Sequence, residues 1–315
     1  MTAALIARRS VAEGFVTRFA PSPNGDLHLG HVLSAITGHE MARRLGGRFL
    51  VRIEDIDLAR TREAHVASIL DDLAWIGLTW EQPVLRQSHH FRDYAEAARR
   101  LRDMGLLYPC FATRGEIIQA VAAEVARGRG WTSDPDGAPL YPGLSRAMEP
   151  EEAAERIRLG EPHAWRIDME KALVECGRRL GGEPLTFVEI DADGREAVVP
   201  AFPERWGDAV IVRKDIPASY HLAVVIDDAR QGVTVVTRGR DLYAATDLHR
   251  LLQVLLGLDE PRYHHHRLLL GADGRKLSKS AGSVSLRSLR QAGMTAAEVC
   301  QEIAIERQGT AAARR

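Results

Sequence analysis

His28 and His31 stand three residues apart inside Pro21-Ser22-Pro23-Asn24-Gly25-Asp26-Leu27-His28-Leu29-Gly30-His31, where helical periodicity begins. At that spacing both imidazoles lie on one side of a first helical turn. Free amides and the positive end of the helix dipole suit an anion there. Imidazole N–H groups add directional donors to a phosphoryl oxygen, and Gly30 lets the backbone come close. Far along the chain, Lys276-Leu277-Ser278-Lys279-Ser280 repeats the spacing with ammonium groups. The chain holds 42 Lys+Arg, of which Lys171, Lys214, Lys276 and Lys279 are the lysines. Two lysines in five residues of an arginine-dominated chain call for a reason. An ammonium is a compact, rotatable point charge that follows a moving phosphate, whereas a guanidinium is a rigid fork. A loop carrying Lys276, Ser278 and Lys279 can close on a triphosphate and neutralise the charge that develops in phosphoryl or nucleotidyl transfer. The two segments are expected to form halves of one phosphate-handling site.

Such groups need a scaffold. Residues 14–20 read as a strand, 21–26 as a Pro/Gly/Asn turn, 30–45 as a helix and 48–53 as a second strand. Helices follow at 62–76 and 91–104. Strand, glycine turn, helix and strand make a nucleotide-binding βαβ opening, with ligands at the carboxyl ends of strands. The texture then changes. Residues 128–139 read as a mobile surface loop, and 163–169, 185–190 and 195–199 as short antiparallel strands. The α/β pattern resumes with strands at 209–213, 233–237 and 264–270 and helices at 219–230 and 242–256. Two short helices follow, and 309–315 read as disordered. The expected division is 1–109 and 206–284 as two halves of an α/β Rossmann-type catalytic domain. Residues 110–205 are an inserted α+β subdomain, and 285–315 a short C-terminal helical segment.

Bulk properties narrow the function classes. A composition of 45% hydrophobic and 27% charged residues supplies a core without a metal or disulfide staple. The net charge of −1 excludes a globally basic nucleic-acid coat but not a local basic face. Cys110, Cys176 and Cys300 are dispersed, which fits a reducing compartment. No apolar run reaches membrane-spanning length, and residues 1–13 lack the apolar stretch of a signal peptide. A cytoplasmic monomer without membrane contact is expected.

The motif PSPNGDLHLGH resembles the "HIGH" signature of class I aminoacyl-tRNA synthetases, and KLSKS resembles their "KMSKS" loop. Arg18-Phe19-Ala20-Pro21-Ser22, Arg52-Ile53-Glu54-Asp55-Ile56-Asp57, the stretch PASYHLAVVIDDA at 217–229 and Thr237-Arg238-Gly239-Arg240-Asp241 narrow the likeness to the glutamyl/glutaminyl branch. It runs from about residue 17 to 285. Full members continue into a helical anticodon-binding domain, for which the thirty or so residues after Ser285 are too few. The expectation is therefore a core without that domain. It resembles the members that activate L-glutamate with ATP and transfer it to queuosine in the anticodon loop of tRNA(Asp). A compact enzyme charging a tRNA 3′ end is the alternative within the class. A small-molecule nucleotidyltransferase or ligase and a non-catalytic binding module are those outside it.

The resemblance implies roles. Arg18 pairs with a carboxylate of glutamate; Ala20 and Ser22 help hold the amino acid; Glu54 faces the α-ammonium; Tyr220 contacts the substrate by its hydroxyl. Arg238 binds the side-chain carboxylate and selects glutamate over glutamine. His28, Gly30 and His31 bind ATP, which brings Mg²⁺, together with Lys276, Ser278 and Lys279. Lys279, Lys276, His28 and His31 carry catalysis. Arg18, Glu54 and Arg238 could equally form a structural ion-pair cluster, and Tyr220 could be a packing residue. Family members often carry zinc on Cys-x-Cys, Tyr and a later Cys. Here Ala112 and Ser145 replace two cysteines beside Cys110 and Tyr141, so no zinc and no other protein-bound metal is expected. His264-His265-His266 alternate faces on a strand and cannot converge on one ion. Candidate contacts to the tRNA(Asp) anticodon stem-loop are Arg287, Arg290 and the inserted subdomain.

Overall fold

The computed structural model describes residues 14–269 and 284–309. In chain order the elements are β1 (Val16–Phe19), α1 (Leu29–Arg44), β2 (Arg48–Ile53), α2 (Glu63–Trp75), β3 (Glu81–Arg86), α3 (Phe91–Asp103), β4 (Leu107–Cys110), α4 (Arg114–Ala126), α5 (Pro150–Arg158), β5 (Ala164–Ile167), α6 (Met169–Arg179), β6 (Thr186–Ile190), β7 (Glu196–Pro200), β8 (Val210–Val212), α7 (Tyr220–Arg230), β9 (Val235–Gly239), α8 (Ala245–Leu256), β10 (Arg262–His266), α9 (Leu286–Gln291) and α10 (Ala296–Gly309).

Strands β1, β2 and β3 pair in parallel. Strands β9, β10 and β6 also run parallel, with β7 antiparallel beside β6. The two ladders meet at β1 and β9. The Thr234 amide donates to the Val16 carbonyl at 3.0 Å, and the Val16 amide to Thr234 Oγ1 at 2.8 Å. Strands then follow in the order 3-2-1-9-10-6-7. The seam between β1 and β9 is where connections part to opposite sides, the place at which α/β sheets open a crevice at their carboxyl ends. Helix α1 covers β1 and β2 with Val32, Leu33 and Ile36, all buried. Each such side chain contributes about 1.5–3 kcal/mol over leaving it in water. Gly38 is needed at that contact, because a Cβ there would meet Thr237 Oγ1 at 2.9 Å. Helices α2, α9 and α10 extend the same core through Ile69, Leu286 and Val299. A second core joins α3, α6, α7 and α8 to a small antiparallel sheet, β4-β5-β8.

Two strand expectations change. Residues 185–190 and 195–199, assigned to the insert, instead extend the main sheet: Glu189 of β6 is in register with Tyr263 of β10. Phe187 is fully buried beside Val236 and Tyr263, apolar surface that a detached subdomain would leave wet. The strand expected at 209–213 pairs with β5 in the small sheet rather than with the parallel one. Strand β3 carried no apolar signal, because an edge strand tolerates a sequence such as EQPVLR. Within the loop expected at 128–139, Asp134 Oδ1 accepts from the amides of Asp136 and Ala138 and closes a turn.

Arg287 and Arg290 line a groove between α2 and α9. Arg290 is a strut there: it donates to Asp71 at 2.6 Å and stacks on Trp75. Asp72 lies in the same groove, 2% exposed, with Oδ2 unpartnered. Burial, then Asp26 and Asp71, push its pKa up to about 6. Its folded value exceeds its unfolded one, so its contribution to stability is complete below about pH 4 and lost as pH rises through 6. Asp72→Asn is expected to be neutral near pH 4 and stabilising by about 1–2 kcal/mol at pH 7. Urea melts at both pH values check this; an identical difference at each would refute it.

Candidate active site

A cavity of about 470 Å³ opens at the carboxyl ends of β1 and β9. Its wall includes Arg18, Ala20, Ser22, His28, Gly30, His31, Glu54, Tyr220 and Arg238. Every sequence-predicted site residue that the structure describes therefore reaches one space. Lys276, Ser278 and Lys279 lie outside the described residues. The chain is described up to Leu269, on the cavity wall, and again from Val284, with Ser285 bridged to His28 and the Leu286 amide donating to the Leu27 carbonyl.

The histidine pair has a second job. His28 Nδ1 accepts from the Gly30 amide at 3.1 Å, and His31 Nδ1 accepts from the His28 amide at 3.2 Å. This is a reciprocal cap at the spacing of a Ser-x-x-Glu box. The rings stack with centroids 3.8 Å apart. Because both Nδ1 atoms accept, each neutral ring carries its proton on Nε2, as a donor. Capping thus sets the tautomer a phosphoryl oxygen requires. A Cβ on Gly30 would sit 2.9 Å from His28 Cε1. Gly30→Ala is expected to displace that ring and raise the KM for a phosphate-bearing substrate about tenfold or more, measured by steady-state kinetics.

Arg18 and Arg52 interrupt the apolar runs VTRF and RFLVRI. Both turn to Asp228 of α7. Arg18 donates from Nε at 2.9 Å and Nη2 at 3.2 Å, and Arg52 from Nη1 at 2.7 Å. Arg18 Nη1 also donates to the Thr237 carbonyl, and Arg52 Nη2 to Glu54 at 3.1 Å. Neighbouring Asp227 accepts from Gln87 and Tyr94, each at 2.8 Å. Burial raises the Asp228 pKa, but Arg18 and Arg52 outweigh it and hold the carboxyl below its usual range. For Glu54 burial wins over Arg52 and Arg18, and its pKa rises. Asp228, Asp227 and Arg52 received no role from the sequence. A charge inside an apolar run was the available signal.

Arg238 is held differently. It donates from Nε to His265 Nε2 at 3.2 Å, from Nη1 to His249 Nδ1 at 3.1 Å, and from Nη2 to Thr246 Oγ1 at 2.6 Å. Among the described residues it forms no ion pair. His265 takes its own support from Glu189 on β6, at 2.8 Å from Nδ1. Tyr220 packs on His249, and burial raises its hydroxyl pKa. The chemistry this allows is recognition of a zwitterion, with a carboxylate at Glu54 for an ammonium and an uncompensated guanidinium at Arg238 for an anion.

The three consecutive histidines diverge as expected: His264 to the Ile190 carbonyl, His265 to Glu189, His266 to Ser34. At the small sheet, Cys110 Sγ donates to Tyr141 Oη at 3.3 Å, and that oxygen accepts from the Ser145 amide at 2.8 Å. No helix among the described residues is long and apolar enough to cross a membrane.

Comparison with known proteins places these features. The family described as tRNA synthetases class I (E and Q), catalytic domain, matches residues 15–311. A glutamyl-Q tRNA(Asp) synthetase of Rhodobacter capsulatus is 44% identical over 288 residues, covering 90% of this chain and 98% of the relative. One of Nocardia farcinica is 39% identical over 286 residues, covering 91% and 82%. The crystal structure of glutamate-tRNA synthetase from Elizabethkingia anophelis superposes with a TM-score of 0.67 at 28% identity over 86% of this chain. The chain spans about half of that protein, 53% of its length.

Proposed function

The chain belongs to the class I tRNA synthetase family, glutamate and glutamine branch, and from that membership we propose that it activates L-glutamate with ATP and transfers it to queuosine in the anticodon loop of tRNA(Asp). The relatives bearing the name glutamyl-Q tRNA(Asp) synthetase, matched over about nine-tenths of this chain, support that acceptor. The observation that carries the amino acid is the Arg238 guanidinium, which forms no ion pair among the described residues and is set in the same cavity as Glu54.

Glu54 receives the α-ammonium, and Arg238 the side-chain carboxylate. Each Nη of Arg18 keeps a second hydrogen for the α-carboxylate, with Ala20, Ser22 and the Tyr220 hydroxyl completing the contact. The Nε2–H groups of His28 and His31 donate to ATP phosphate oxygens beside Gly30. Lys276 and Lys279 neutralise the departing pyrophosphate, the Ser278 hydroxyl donates to the phosphates, and Mg²⁺ accompanies the nucleotide. The glutamate carboxylate attacks the α-phosphorus, the bond to the β-phosphate oxygen breaks, and the adenylate forms. A nucleophile of queuosine then attacks the activated carbonyl carbon and AMP leaves. No protein nucleophile is needed, so catalysis is positioning and electrostatics.

Pyrophosphate exchange dependent on glutamate tests the first step. Labelled glutamate on tRNA(Asp) that departs on removing queuosine, and not on cutting the 3′ end, tests the second. Label lost with the 3′ end would overturn the acceptor assignment.

Zinc does not fit the small-sheet site. One thiol and one phenol, already hydrogen-bonded to each other, leave two tetrahedral positions without ligands. Elemental analysis of purified protein is expected to find well below one zinc per chain.

A further inference from the structure

Three arginines line the cavity, Arg18, Arg238 and Arg267, and the first two differ in the charge of their surroundings. Arg18 lies against the Asp228 carboxylate. Arg238, 5% exposed, has three acceptors and no acid among them: His265, His249 and Thr246. The hydrogen-bond directions keep these acceptors neutral. His265 directs its Nδ1 proton to Glu189 and presents the Nε2 lone pair to Arg238. His249 accepts at Nδ1, so its proton is on Nε2, 3.2 Å from His221 Nδ1. Burial and the nearby guanidinium hold His249 and His221 well below the usual imidazole range. A buried cation lacking a counter-charge is costly in water-poor surroundings. The group that relieves this cost is a carboxylate entering the cavity; an amide of the same shape brings dipoles but no charge.

We propose that the uncharged cage of His249, His265 and Thr246 is a specificity device, which selects an acid over its amide by leaving the charge of Arg238 unanswered until substrate arrives. This rests on the reading above that glutamate occupies the cavity. Thr246, His249 and His265 are positioning residues, acting through Arg238.

The test places a carboxylate in the cage. In the full chain, Thr246→Asp is compared with the neutral, equally shaped Thr246→Asn, using pyrophosphate exchange with glutamate and with glutamine. Thr246→Asp should lower kcat/KM for glutamate by roughly 10²-fold or more and bring the glutamate-to-glutamine ratio towards one. Thr246→Asn should keep that ratio within about tenfold of the unaltered protein. His249→Asp and His249→Asn repeat the comparison if the first aspartate variant does not fold. Calorimetry on the unaltered protein needs no variant and should show glutamate bound at least about 10²-fold tighter than glutamine. Equal ratios in the Asp and Asn variants, or equal affinities for the two amino acids, overturn the cage. Absence of exchange with any amino acid in the unaltered protein instead sinks the functional reading beneath it.

Discussion

Asp228→Ala should cost about 3–5 kcal/mol of stability, because it leaves Arg18 and Arg52 buried without the carboxylate they share. Thermal unfolding is expected to move down by on the order of 10 °C. The network spans β1, β2 and α7, so the loss should be cooperative rather than confined to one element. The pH dependence has a definite sign. The carboxyl of Asp228 is held below its unfolded value, so its contribution is present above about pH 4 and lost as pH falls through the folded value. The unaltered protein should therefore lose stability in acid more steeply than Asp228→Ala. A change under about 1 kcal/mol, with parallel acid profiles, would show that the two guanidinium groups find other partners.

Arg238→Leu is expected to behave in the opposite sense. Its acceptors are neutral, so removing the guanidinium takes away an uncompensated buried cation, and stability should hold or rise. Activity should not survive: glutamate-dependent pyrophosphate exchange should fall about 10³-fold or more, since the substrate's charge would enter an apolar wall. A stable, inactive variant marks a residue kept for substrate at the expense of the fold. Paired melting curves and exchange rates decide it. A variant that melts early and keeps its rate would reassign Arg238 to structure.

The contrast between these two sites shows what was legible before the structure. Arg18, Glu54, Tyr220 and Arg238 lie inside recognisable motifs, and all four reach the cavity. Their supports were not visible. Asp228 meets Arg18 across 210 residues of chain, and His265 and Thr246 hold Arg238 from a strand and a helix that follow it. Such partners are chosen by packing, not by local pattern. The same limit explains β6. Alternation identifies a strand and its buried face, but not which sheet receives it. The spacing of His28 and His31 had a capping role as well as the chemical one, and the two are inseparable because one hydrogen-bond pattern serves both.

The interleaving of the sheets has a consequence for anyone who would re-engineer this protein. The chain leaves the parallel sheet after β3, builds β4 and β5 of the small sheet, returns for β6 and β7, leaves again for β8, and returns at β9. The small sheet is thus stitched through its neighbour rather than hung from it. A cassette cut between β3 and β9 would carry away β6, and with it the Glu189 prop beneath His265. Grafts and length changes belong in the surface stretch between α4 and α5, where no strand of either sheet is interrupted.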